Sequence, residues 1–172
     1  MPMEALGEAL ARLRSAGWTF EPGSPNPRTV PAALRSVPPG HVAFASSFSR
    51  LSSPDDATWF LALDDYVSSS PDAFAWNEFE TMSRDAAASI EDEAAVAAFW
   101  DRHCPILLSV RDHYEYLAVR VDGTIVHGEE PEFENTTDTA IDLDSLLRSI
   151  ADRPDPGVGL VEALLFGRAP GS

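Results

Sequence analysis

The dipeptide Asp122-Gly123 constrains this chain more than any other short feature. It lies between two runs of alternating apolar residues, from Tyr116 to Val121 and from Thr124 to His127. That arrangement is a strong local signal for a β-hairpin. Asp tolerates positive φ and Gly adopts it freely, as a type I′ turn requires. A two-residue turn sets Val121 opposite Thr124 and Val119 opposite Val126. Leu117, Val119, Val121, Thr124 and Val126 then share one face, and Tyr116, Ala118, Arg120, Ile125 and His127 the other.

The same stretch carries His-x-Glu twice, as His113/Glu115 and His127/Glu129. With the two-residue turn the histidines fall on opposite faces. A bulged three-residue loop brings them to one face but sets His127 opposite Val119, six residues from His113. At about 3.3 Å per residue that is on the order of 20 Å. Either register predicts imidazoles too far apart to share a metal. His113 then reads as a solvated or hydrogen-bonded structural histidine, with a lone general base as the alternative.

Other chemical signatures are absent. There is one cysteine, Cys104, so no Pro-Cys-x-x-Cys accompanies the histidines as in zinc deaminases. No His-Glu-x-x-His and no Gly-x-Ser-x-Gly occurs. All 12 basic residues are arginine. A chain without lysine has no Walker A loop, Schiff-base lysine or Ser-x-x-Lys pair. The sequence therefore predicts no catalytic residue, no cofactor and no metal.

The 172 residues suit one domain with a real core. No apolar run approaches the ~20 residues of a membrane span. The start, "MPMEALGEALARLRS", has early acids and reads as an amphipathic helix rather than a secretion signal. A single cysteine permits no internal disulfide, which suits a reducing cytoplasm. The formal charge of −16 is opposite in sign to what nucleic acid or an anionic membrane attracts. It reflects either solubility and compositional habit or a basic protein partner. Between Val121 and Leu147 there is no arginine, while Asp122, Glu129, Glu130, Glu132, Glu134, Asp138, Asp142 and Asp144 fall there. No Asp-x-Asp-x-Asp-Gly loop supports calcium at these acids.

Met3, Leu6, Leu10 and Leu13 recur at helical spacing, predicting a helix over Pro2–Ala16 that Gly17 can cap. "EPGSPNP" reads as a linker, which makes this helix an appended arm. Thr29 can cap a short helix through Val37. Phe44, Phe48 and Leu51 predict a second short helix, and "TWFLAL" (Thr58–Leu63) a buried strand. "AWNEFETMSRDAA" has helical composition. Ser89 with Asp92 resembles a capping box for a helix turning Val96, Phe99 and Trp100 inward. "PILLSV" is a strand, and Asp142 can cap a helix with Leu143, Leu146, Leu147 and Ile150 on one stripe. After "DRPDPG" a last short helix is expected over residues 158–166. This irregular order argues an α+β domain spanning 1–172.

Several stretches together resemble a known family: "SSFSRLSSPDDATWFLALDDY", "FAWNEFE", "FWDRHCPILLSVRDHYEYLAVRVDGTIVHGEEPEFE" and "TAIDLDSLL". They are similar to the SUKH superfamily, in its Smi/Knr-like branch, over roughly Pro27 to Ala151. Cys104 stands where that family usually has a plain apolar residue, and Leu143 and Leu146 where an aromatic is commoner. The resemblance implies a central, mainly antiparallel sheet with flanking helices and no fixed catalytic set. It also implies a protein-binding role, since many bacterial members are immunity proteins that bind polymorphic toxins directly. Others are regulators, so a regulatory scaffold is the alternative.

The expected partner surface is acidic: Glu129, Glu130, Glu132, Phe133, Glu134 and Asp138. If the segment is extended, Glu130, Glu132 and Glu134 project on one side and Phe133 anchors the other. A basic protein surface, such as a toxin domain, is the complement.

Overall fold

The computed structural model describes residues 3–23, 30–66, 76–111, 113–152 and 164–165. Its centre is a seven-stranded sheet in strict sequence order, every neighbouring pair antiparallel. The strands are β1 (Thr19–Pro22), β2 (Phe48–Ser52), β3 (Thr58–Phe60), β4 (His103–Ser109), β5 (Glu115–Arg120), β6 (Ile125–Glu129) and β7 (Thr137–Ala140). Among the described residues five helices accompany them: α1 (Met3–Ser15), α2 (Gly40–Ser46), α3 (Glu78–Ala86), α4 (Ile90–Arg102) and α5 (Leu143–Asp152). This is the expected α+β architecture, a central antiparallel sheet with flanking helices. No helix among the described residues is long and apolar enough to cross a membrane.

The middle of the sheet is covered on both faces, because its alternate residues meet different helices. Tyr116, opposite Leu108 on β4, meets Phe79 of α3 and Trp100 of α4 at ring distances of 5.9 and 5.2 Å. Phe60 pairs with Leu107, which pairs with Leu117, so it points the other way. There it meets Trp18 at 5.9 Å and Phe44 of α2 at 5.5 Å. With both faces filled, Leu107, Leu108, Leu117, Ala118, Val119, Ile125 and Val126 are fully buried.

The expected caps form. The Ser89 hydroxyl accepts the Asp92 N–H at 3.1 Å and starts α4, whose Val96, Phe99 and Trp100 are buried. The Asp142 carboxylate accepts the Ser145 N–H at 2.8 Å and starts α5. That helix buries Leu143, Leu146, Leu147 and Ile150.

Four expectations need correction. First, α1 is no appended arm: it packs along α5 and places Ala5, Leu6, Ala9 and Leu13 in the core. Glu21 and Pro22, which looked like linker, belong to edge strand β1. Proline is tolerated there because an edge needs no donor on its outer side.

Second, Phe48 and Leu51 lie on a strand. β2 skips Ser49 as its pairing passes from Glu21↔Arg50 to Pro22↔Phe48. That bulge buries two residues three apart, which imitates helical spacing. Third, "TWFLAL" is paired as a strand only through Phe60, and Leu63–Tyr66 forms a 3-10 turn. Between Val30 and Val37 the regular structure is one 3-10 turn, Ala32–Leu34; Thr29 lies outside the described residues.

The fourth correction is the hairpin register. The strands are joined by Val121–Gly123, with Gly123 at φ +97° and its N–H bonded to the Arg120 carbonyl at 2.8 Å. Arg120 in turn donates its N–H to the Thr124 carbonyl at 2.8 Å. This is a three-residue loop closed by a left-handed glycine. It sets Val119 opposite Ile125, Leu117 opposite His127 and Glu115 opposite Glu129. Of the expected C-terminal helix over 158–166, only Leu164 and Leu165 are among the described residues. Both are buried, and their carbonyls accept from Arg111 at 3.0 Å and from the Trp18 indole at 3.2 Å.

Candidate functional site

Two places on this frame gather chemistry. The first is a groove of about 700 Å³ between α3, α4 and the segment after β6. Met82, Ala86 and Ala87 line one wall, Ala95 and Val96 another, and Phe133 the floor. Phe133 is fixed: its ring stacks on Phe79 at 4.7 Å, and its carbonyl accepts the Tyr116 hydroxyl proton. Asp92, Glu130, Glu132 and Glu134 supply the charge, and among the described residues no basic side chain lines the groove.

The segment 130–134 does not have the extended form in which its glutamates would all project on one side. A turn closes from the Glu132 carbonyl to the Asn135 N–H at 3.0 Å. Two of its glutamates also bond inward. Glu130 accepts the Tyr114 N–H at 2.9 Å, and Glu134 accepts the Ser83 hydroxyl at 2.9 Å. These bonds tie the acidic segment to the residue preceding β5 and to α3, so the carboxylates are held in place. Glu132 is exposed.

The second place is one face of the β5–β6 end of the sheet. His113 Nε2 lies 2.6 Å from Glu129 Oε2 and 3.8 Å from Glu115 Oε1. His127 Nε2 lies 3.1 Å from that same Glu115 oxygen. The expectation of widely separated histidines is therefore wrong. The pairing with Val119 expected for a three-residue loop is two residues out: the loop over Val121–Gly123 sets Val119 opposite Ile125 and therefore His127 opposite Leu117. That brings it two rungs closer to His113, and the longer side chains close the remaining gap. His127 is buried, while Glu129 reaches solvent.

Of the six acidic-surface residues expected from sequence, Glu130, Glu132, Phe133 and Glu134 line the groove. Glu129 belongs to the histidine cluster. Asp138, on β7, lies 3.6 Å from the Arg120 guanidinium and is not part of the groove lining. Sequence reasoning missed Asp92, whose visible role was at the α4 cap, and Met82 and Ala86, which looked like ordinary helix residues. The signal available for Asp92 was its place on the exposed first turn, among Glu91 and Glu93.

Cys104 is buried, and burial pushes its thiol up to about 12. At neutral pH it is a packed thiol and not a thiolate. No family model, curated protein or solved structure matches this chain.

Proposed function

We propose that this chain is a non-enzymatic protein-binding module whose groove receives a basic segment of a partner protein. The observation that carries this reading is the groove lining. An apolar floor lies under four carboxylates, Asp92, Glu130, Glu132 and Glu134, with no basic side chain among the described lining residues. Arginine or lysine ends on a partner would find carboxylates, and their stems would find Phe133 and Met82. The net charge of −16 supports a protein over a nucleic-acid partner.

The resemblance of Pro27–Ala151 to the SUKH superfamily supports a toxin as the partner, neutralised in the cytoplasm by direct binding. Co-expression with a toxin domain encoded beside this gene tests it. Wild-type chain should restore growth, and the Asp92→Asn, Glu132→Gln double variant should restore it less well. A cognate toxin that kills regardless of this chain would overturn the immunity reading. Titration with a fluorescent deca-arginine peptide tests the groove separately. Equal affinity of wild type and double variant would overturn the groove as the binding surface.

A further inference from the structure

We propose that His113, Glu115 and Glu129 form a site for one divalent transition-metal ion of the zinc class, with His127 as its positioning residue. One ligating atom from each of the three residues lies within 4.8 Å of the other two. An ion bonded at about 2.0–2.2 Å in tetrahedral geometry needs donors about 3.4 Å apart. The observed separations of 2.6 and 3.8 Å bracket that value. Small rotations of His113 and of the exposed Glu129 side chain bring the donors to it.

The backbone already holds these donors together. Glu115 and Glu129 are cross-strand partners on one rung of β5 and β6. Beyond that rung the Glu130 N–H bonds the Tyr114 carbonyl, and the Tyr114 N–H bonds the Glu130 carboxylate, each at 2.9 Å. These two bonds clamp the chain on which His113 sits against the end of β6. Sites built on paired strands are more exact than sites on loops. His127, 95% buried, aims Nε2 at Glu115 Oε1 from 3.1 Å. A buried imidazole hydrogen-bonded to a ligating carboxylate orients that ligand.

The donor set selects the ion. One imidazole with two carboxylates suits zinc and its first-row neighbours, whereas calcium and magnesium prefer all-oxygen shells. Two carboxylates neutralise the charge of a divalent ion. Three protein ligands leave a fourth coordination position for water.

The test is calorimetric titration of the full chain, stripped with EDTA, with zinc chloride. Wild type should bind one zinc per chain, and calcium chloride should give no comparable binding. Cobalt(II) should produce the visible absorption of a four-coordinate site. Glu129→Gln should weaken zinc at least tenfold, as should His113→Ala. His127→Phe, which keeps a ring but cannot donate to Glu115, should weaken it about 10–100-fold. Circular dichroism melts accompany each variant, and if His113→Ala does not fold, the exposed Glu129→Gln and Glu129→Ala carry the comparison. No zinc binding by wild type, or equal binding by wild type and the folded Glu129 variants, overturns the site.

Discussion

His113 and His127 share one carboxylate oxygen: Oε1 of Glu115 lies 3.8 Å from the first imidazole and 3.1 Å from the second. Glu115 is thus the hinge of the cluster, and His127 depends on it most because His127 is buried. Removing the carboxylate leaves a buried ring nitrogen without that partner, which costs about 1–3 kcal/mol. Glu115→Ala should therefore lower unfolding stability in urea by that amount. Glu115→Gln, which keeps an acceptor oxygen, should cost less. Equal stability of Glu115→Ala and wild type would show that the bond to His127 contributes nothing.

Gly128 and Gly7 form a contrasting pair. A Cβ on Gly128 would overlap the ring and hydroxyl of Tyr116, which is fully buried and bonded to the Phe133 carbonyl. Gly7 is an exposed residue of α1 with open space where its Cβ would be. Gly128→Ala should destabilise by about 3 kcal/mol, at the upper end of overpacking costs. Gly7→Ala should stabilise by up to about 1 kcal/mol, the helix propensity difference. Thermal melts of the two variants check both signs at once, and a neutral Gly128→Ala would contradict the close packing of Tyr116 beneath β6.

These contrasts also mark what the sequence could reveal. The helices with caps were legible, because Ser89 and Asp142 each announce a boundary and the apolar stripes behind them have one period. The hairpin was legible from Asp122-Gly123, but its register was not. The same dipeptide fits a two-residue turn and the observed loop with only Gly123 left-handed, and the choice between them shifts every partner. β1 and β7 escaped because "TFEP" and "TDTA" are edge strands with little apolar alternation. The role of α1 escaped because nothing local tells a helix that its partner, α5, lies more than a hundred residues away. The groove and the histidine cluster are likewise products of long-range pairing. Asp92 and Glu132 meet only after α4 and the post-β6 segment pack together.

The groove carries an electrostatic expectation. Its carboxylates should raise the association rate for a cationic segment, and salt should remove the gain. The Debye length falls from ~10 Å at 0.1 M to ~3 Å at 1 M. In stopped-flow mixing with deca-arginine, the Asp92→Asn, Glu132→Gln variant should associate several-fold more slowly at low salt. At high salt it should match wild type. Because Glu130 and Glu134 keep their bonds to Tyr114 and Ser83, the melting temperature should stay within a few degrees. A salt dependence equal to that of wild type would remove Asp92 and Glu132 from the binding surface.

His41 sets a pH limit on the fold. It lies on α2 with 3% of its surface exposed, and its Nδ1 has no hydrogen-bond partner among the described residues. Burial holds its pKa down at about 4, against 6.5 for the free side chain. Above pH 6.5 the ring is neutral in both folded and unfolded chains, and its contribution is fully present. Between pH 6.5 and 4 the unfolded chain takes up a proton that the folded chain refuses, so stability falls as pH falls. The loss across that window is about 3 kcal/mol, at 1.36 kcal/mol per pKa unit. The lowered pKa of buried His103 acts in the same direction. Falling pH also relieves repulsion among the excess acids, which opposes this loss, so the informative quantity is a difference between two proteins. Urea unfolding of wild type and His41→Leu at pH 7, 6, 5 and 4 should give curves that diverge on acidification, with the variant losing less. Parallel curves would mean that His41 accepts its proton within the folded chain, and that α2 opens locally to let it.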